Sequence, residues 1–202
     1  MLASGSFWRK ELLSWLRVPF EVEVSDFDEE SVEIGEPGQL VVALALAKAE
    51  KVARQLKSGL VIGADTIIVV DGNVVGKPKD VEHAREILNQ LNGCSHEVYT
   101  GVVVIEVETG KKLIESQKSV VWFKDLSDKK LEKYLGSKEW VGKAGAYQLI
   151  GKAKELVADV EGSVTGVVGL PLRKVAELLK KFGVEILVDV GKVIKEKTGF
   201  ES

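Results

Sequence analysis

The run Gly63-Ala64-Asp65-Thr66 places a carboxylate inside an apolar stretch, with Leu60-Val61-Ile62 before it and Ile67-Ile68-Val69-Val70 after it. An unpaired charge buried there costs several kcal/mol or more, so Asp65 needs a partner, the obvious ones being a cation, a metal ion or a reacting water. Two readings stand at this residue: a bulge or turn aspartate satisfied by backbone N–H groups, or a metal ligand or general base at a strand end. Lys48 is the first candidate partner. It interrupts the helical series Leu40, Leu44, Lys48, Val52, Leu56, either snorkelling with its stem packed and its ammonium in water or pointing into an anion-binding cavity. Gly76-Lys77-Pro78 adds a loop lysine. Ser4-Gly5-Ser6 precedes a helix, where unpaired N–H groups, hydroxyls and the fork of Arg9 suit a phosphate, although plain helix capping uses the same residues. Glu29 belongs to the acidic run Asp26 to Glu30, which reads as a solvated loop or as a second acid for the site. A few cations, one or two carboxylates and a small-residue helix entry fit a triphosphate with a divalent metal.

The elements that must position these groups follow from local pattern. A strand stub at Met1-Leu2-Ala3 leads through Ser4-Gly5-Ser6 into a helix carrying Leu12, Leu13 and Leu16. A short strand from Phe20 to Val24 precedes the acidic loop, and Pro37 starts a long helix ending near Leu56, before Gly59. The Asp65 strand turns at Asp71-Gly72-Asn73 and returns through Val74-Val75. A helix from Val81 to Leu91 stops at Asn92-Gly93. Strands from about Glu97 to Glu108 and Lys112 to Lys124 form a hairpin around Thr109-Gly110. A helix opening at Ser127, a strand from Glu155 to Val160, a glycine-spaced loop at Gly162, Gly166 and Gly169, and a helix from Pro171 complete the chain. The charged residues from about 190 to 202 are expected to be peripheral.

Composition removes several classes of function. The 202 residues, 45% of them hydrophobic, suffice for a sizeable core, and no linker-like stretch divides residues 1–202, so one domain is expected. A net charge of −3 with Lys and Glu intermixed argues against a nucleic-acid or anionic-membrane partner. The single Cys94, with only His83 and His96, supports neither a disulfide framework nor a Cys/His zinc site; a metal would be held by oxygens. No leader pattern or apolar run of about 20 residues is visible, so a cytoplasmic protein is expected.

The chain resembles the Maf-type nucleoside triphosphate pyrophosphatases, also called septum-formation proteins. The likeness is carried by Leu2-Ala3-Ser4-Gly5-Ser6 with Arg9 and Glu11-Leu12-Leu13, Asp28-Glu29, Ala47-Lys48-Ala49, Gly63-Ala64-Asp65-Thr66, Gly76-Lys77-Pro78, His96 with Thr100-Gly101-Val102, Lys143-Ala144-Gly145-Ala146-Tyr147 and Val168-Gly169-Leu170-Pro171-Leu172. It implies an α/β fold with an elongated mixed sheet flanked by helices, like the inosine-triphosphate pyrophosphatases, and commonly a homodimer. It also implies hydrolysis of a nucleoside triphosphate to monophosphate and pyrophosphate with a divalent metal, Mg²⁺ or Mn²⁺, as house-cleaning of the nucleotide pool.

By the same resemblance, Asp65 and Glu29 are catalytic and metal-binding, while Ser4, Ser6, Arg9, Lys48, Lys77 and Lys143 bind substrate. Trp8, Thr66 and Ile150 occupy selectivity positions. Thr66 and Gly145-Ala146-Tyr147 resemble the dTTP/UTP branch, toward which the reading leans. Trp8, where that branch has arginine, instead resembles the branch acting on 7-methyl-GTP, whose cationic purine could stack on indole. At the third position Ile150 stands where the branches carry glutamine or glutamate, with Gln148 two residues away. Gly142 replaces the usual aspartate before Lys143, which leaves a weakly catalytic nucleotide-binding regulator of cell division as the alternative from another class.

Overall fold

The computed structural model describes residues 1–27 and 35–200. Its framework is an antiparallel sheet in the order β2-β1-β3-β4-β5, made of β1 (Leu60–Val70), β2 (Asn73–Val75), β3 (Ser95–Glu106), β4 (Lys112–Phe123) and β5 (Val157–Glu161). The expected mixed character is confined to Leu2, which bridges both Val22 and Ile62 in parallel. Only that bridge remains of the strand expected from Phe20 to Val24.

Side chains alternate between the two faces of the sheet. On one face, Val61, Gly63, Asp65 and Ile67 of β1 lie beside Val103, Gly101 and Tyr99 of β3, under helix α2 (Pro37–Ala53). Two glycines let that helix rest on the backbone: a Cβ at Gly63 would lie 2.2 Å from the carbonyl oxygen of Ala45, and one at Gly101 would lie 2.4 Å from that of Val41. On the other face, Ile62, Ala64 and Ile68 join Val98, Val102 and Val104 in the main core. That core is closed by α1 (Phe7–Ser14), α3 (Val81–Leu91), α4 (Asp128–Gly136), α5 (Val164–Val168) and α6 (Leu172–Lys181).

One segment differs from expectation, and a second adds a helix to it. The glycine-spaced stretch forms the short helix α5, because Ser163 caps it by accepting from the Gly166 N–H at 3.0 Å. The charged C-terminal stretch forms α7 (Val190–Thr198), which is capped by Asp189 and buries Ile194 and Thr198.

Candidate active site

The outer edge of β1 is covered at both ends and open in the middle. Near its start, the Ala3 N–H donates to the carbonyl of Ile62, whose own N–H donates to Met1. Near its end, Ile68 to Val70 pair with β2. Among the described residues no strand pairs with this edge between those attachments, and there Asp65 and Thr66 meet a cavity of about 500 Å³.

Asp65 sits in a regular ladder opposite Gly101, with no bulge. It is 5% exposed and Lys48 is 6% exposed, and the Lys48 Nζ reaches the Asp65 Oδ1 at 2.5 Å. The snorkelling reading of Lys48 therefore does not hold: its ammonium is buried against a carboxylate. The close seat of α2 on Gly63 and Gly101 brings the two together.

Across the strand, Thr66 faces the opposite side. Its hydroxyl lies 3.0 Å from that of Thr100, which donates to the carbonyl of Gly166 at 2.8 Å. Arg9 spans this side of the cavity: its Nε donates to the Gly169 carbonyl at 3.0 Å, and its two terminal nitrogens lie 3.4 Å from the hydroxyls of Ser4 and Thr66. Ser6 caps α1 by accepting from the Arg9 N–H.

Lys77, on the loop after β2, and Lys143 also line the cavity. Their loops are tied by the Gly145 N–H, which donates to the Gly76 carbonyl at 3.1 Å. Trp8 lines the cavity too and packs on the main core. Gly142 lies in the wall, so the position where an aspartate is usual presents no acid.

Ile150 is not in the wall; it packs on the main core, and Gln148 lines the cavity. The left-handed turn at Gly145 and Ala146, with φ of 64° and 58°, aligns Tyr147 and Gln148 with the wall before the chain leaves at Gly151. Glu29 lies outside the described residues. Among those described, Asp65 is the sole carboxylate lining the cavity, and no cluster of three or more His, Cys, Asp or Glu could hold a metal. Mg²⁺ bound through one or two carboxylates and substrate phosphates does not require such a cluster.

The supporting polar residues His96 and Thr100 were given no role by sequence reasoning. Both fall at alternate positions with Val98 and Val102 on β3, a period that places polar groups on a core face. The His96 Nε2 lies 2.9 Å from the hydroxyl of Tyr147, and Phe123 packs edge-on against both rings. Burial lowers the His96 pKa to about 4 and raises that of Tyr147, so both are neutral near pH 7.

Comparison with known proteins adds a family. The family described as Maf-like protein matches residues 1–182. The chain is 42% identical to a dTTP/UTP pyrophosphatase of Pelotomaculum thermopropionicum, over 93% of this chain and 98% of that protein. It is 45% identical to a dTTP/UTP pyrophosphatase of Desulforamulus reducens over the same shares. A third protein of that name, from Bacillus cytotoxicus, is 42% identical over 90% of this chain and 94% of its own length. No helix among the described residues is long and apolar enough to cross a membrane.

Proposed function

The chain belongs to the Maf family, and from that premise we propose that it hydrolyses nucleoside triphosphates, UTP and dTTP in preference, to the monophosphate and pyrophosphate. The observation that carries this reading is the buried Lys48–Asp65 pair in a cavity also lined by Arg9, Lys77 and Lys143. One carboxylate among several cations suits a polyanion and a proton acceptor together. Asp65 takes a proton from the attacking water as its oxygen bonds to phosphorus, and the anhydride bond breaks with its electron pair leaving on pyrophosphate. Lys48 holds the carboxylate in place, while Lys77 and Lys143 offset charge on the phosphoryl oxygens, where fixed cations favour the transition state.

A divalent cation, Mg²⁺ or Mn²⁺, would be held by Asp65 and the substrate phosphates, with Glu29 as a further candidate ligand. When bound, it neutralises phosphate charge.

Base preference rests on Thr66 and on the names of the relatives. Trp8 is the observation favouring the second reading, 7-methyl-GTP. The test is kcat/KM for UTP, dTTP, CTP, ATP, GTP and 7-methyl-GTP with Mg²⁺. The highest values are expected for UTP and dTTP; a higher value for 7-methyl-GTP would reverse the assignment.

A further inference from the structure

Phe7 opens helix α1, lines the cavity and is nonetheless 67% exposed. Its ring meets that of Trp8 edge to face, with centroids 5.4 Å apart and planes at 80°. Trp8 packs on the main core, so the partner against which Phe7 rests is anchored. An isolated exposed apolar side chain is ordinary on a protein surface; one set in the wall of a site for a flat, partly apolar ligand has a use.

The lining divides by chemistry. Arg9, Lys48, Lys77 and Lys143 supply its cations, whereas Phe7, Trp8 and Val24 are among the side chains, with Ile68 and Val168, that supply apolar surface. Val24 is itself 60% exposed. A nucleotide carries both matching parts, an anionic chain and an aromatic base.

We propose that Phe7 is a stacking residue for the base of the bound nucleotide, an assignment that rests on the triphosphate reading above. Trp8 braces its ring in an edge-to-face contact, and the exposed surface of Phe7 is left to the ligand. Because every base has a π face, this contact contributes to affinity across bases, leaving selectivity to residues such as Thr66 and Gln148.

The test compares wild type, Phe7→Ala and Phe7→Trp in UTP hydrolysis and in inhibition by tripolyphosphate, which carries the phosphates without a base. Phe7→Ala should raise KM for UTP about tenfold, with kcat within about twofold of wild type. Its inhibition by tripolyphosphate and its Tm should not change, and Phe7→Trp should restore KM. Wild-type turnover combined with an unchanged KM in Phe7→Ala, or an equal loss of affinity for UTP and tripolyphosphate, overturns the stacking role alone. Absence of wild-type turnover with any triphosphate overturns the functional reading and the stacking role with it.

Discussion

Lys48→Met and Asp65→Asn, made singly and together, probe the buried pair most directly. The two side chains meet at 2.5 Å and are each 7% exposed, so removing one charge leaves the other in an interior that solvates it poorly. Breaking such a pair costs about 3–5 kcal/mol. In a domain of this size that corresponds to a Tm lower by roughly 6–20 °C, at about 2–4 °C per kcal/mol. The double variant leaves neither charge behind and nearly preserves side-chain volume. Its loss of stability should therefore fall short of the sum of the single losses by about 3 kcal/mol. Urea melts of the four proteins without nucleotide measure this coupling, and kcat/KM on the same preparations should fall by about 100-fold or more in every variant. Additive stabilities, or a Lys48→Met protein as stable as wild type, would refute the coupling and restore a lysine whose head is solvated.

Gly101→Ala should lower stability by about 1–3 kcal/mol and reduce kcat/KM, because its Cβ would lie 2.4 Å from the Val41 carbonyl oxygen and push α2, with Lys48, off the sheet. Gly136→Ala, which meets open space, should change neither quantity in the same thermal melts and assays. His96 should contribute an acid sensitivity. Burial lowers its pKa from 6.5 to about 4, so between those values the unfolded chain binds a proton that the folded protein does not. Stability from this group is complete above pH 6.5 and declines by about 3 kcal/mol as pH falls toward 4; urea melts of His96→Gln across that range should show a shallower decline. Finally, Gln148→Ala should alter the ratio of kcat/KM for UTP to that for 7-methyl-GTP, while Ile150→Val, at a half-buried position against the core and outside the cavity wall, should leave that ratio unchanged.

The elements were legible where local rules decide them. Pro37 and the apolar stripe announced α2, and Asp71-Gly72-Asn73 announced the β1–β2 turn. The apolar run on either side of Asp65 marked β1, Thr109-Gly110 marked the β3–β4 hairpin, and Asn92-Gly93 marked the stop of the helix over Val81–Leu91. Asp65 was visible as a charge among apolar residues, and Lys48 as a lysine in a helix stripe. Their contact was not legible, because it depends on how closely α2 approaches the sheet, and Gly63 and Gly101 set that distance from two different strands. Ile150 shows the opposite limit: alignment of a motif gives sequence position, whereas two consecutive left-handed residues, Gly145 and Ala146, decide which side chains line the cavity. The helical C-terminus was hidden for a further reason. α7 is polar on most positions and buries only Ile194 and Thr198, too few apolar residues for a clear period.

The proposed reaction is cleavage of a triphosphate into monophosphate and pyrophosphate at the Asp65 centre. ³¹P NMR of purified protein incubated with dTTP and Mg²⁺, with Asp65→Asn run in parallel, tests it most directly. Thymidine monophosphate and pyrophosphate should appear in equal amounts with wild type, and almost no products with the variant. Orthophosphate together with thymidine diphosphate, or equal turnover by the two proteins, would contradict it.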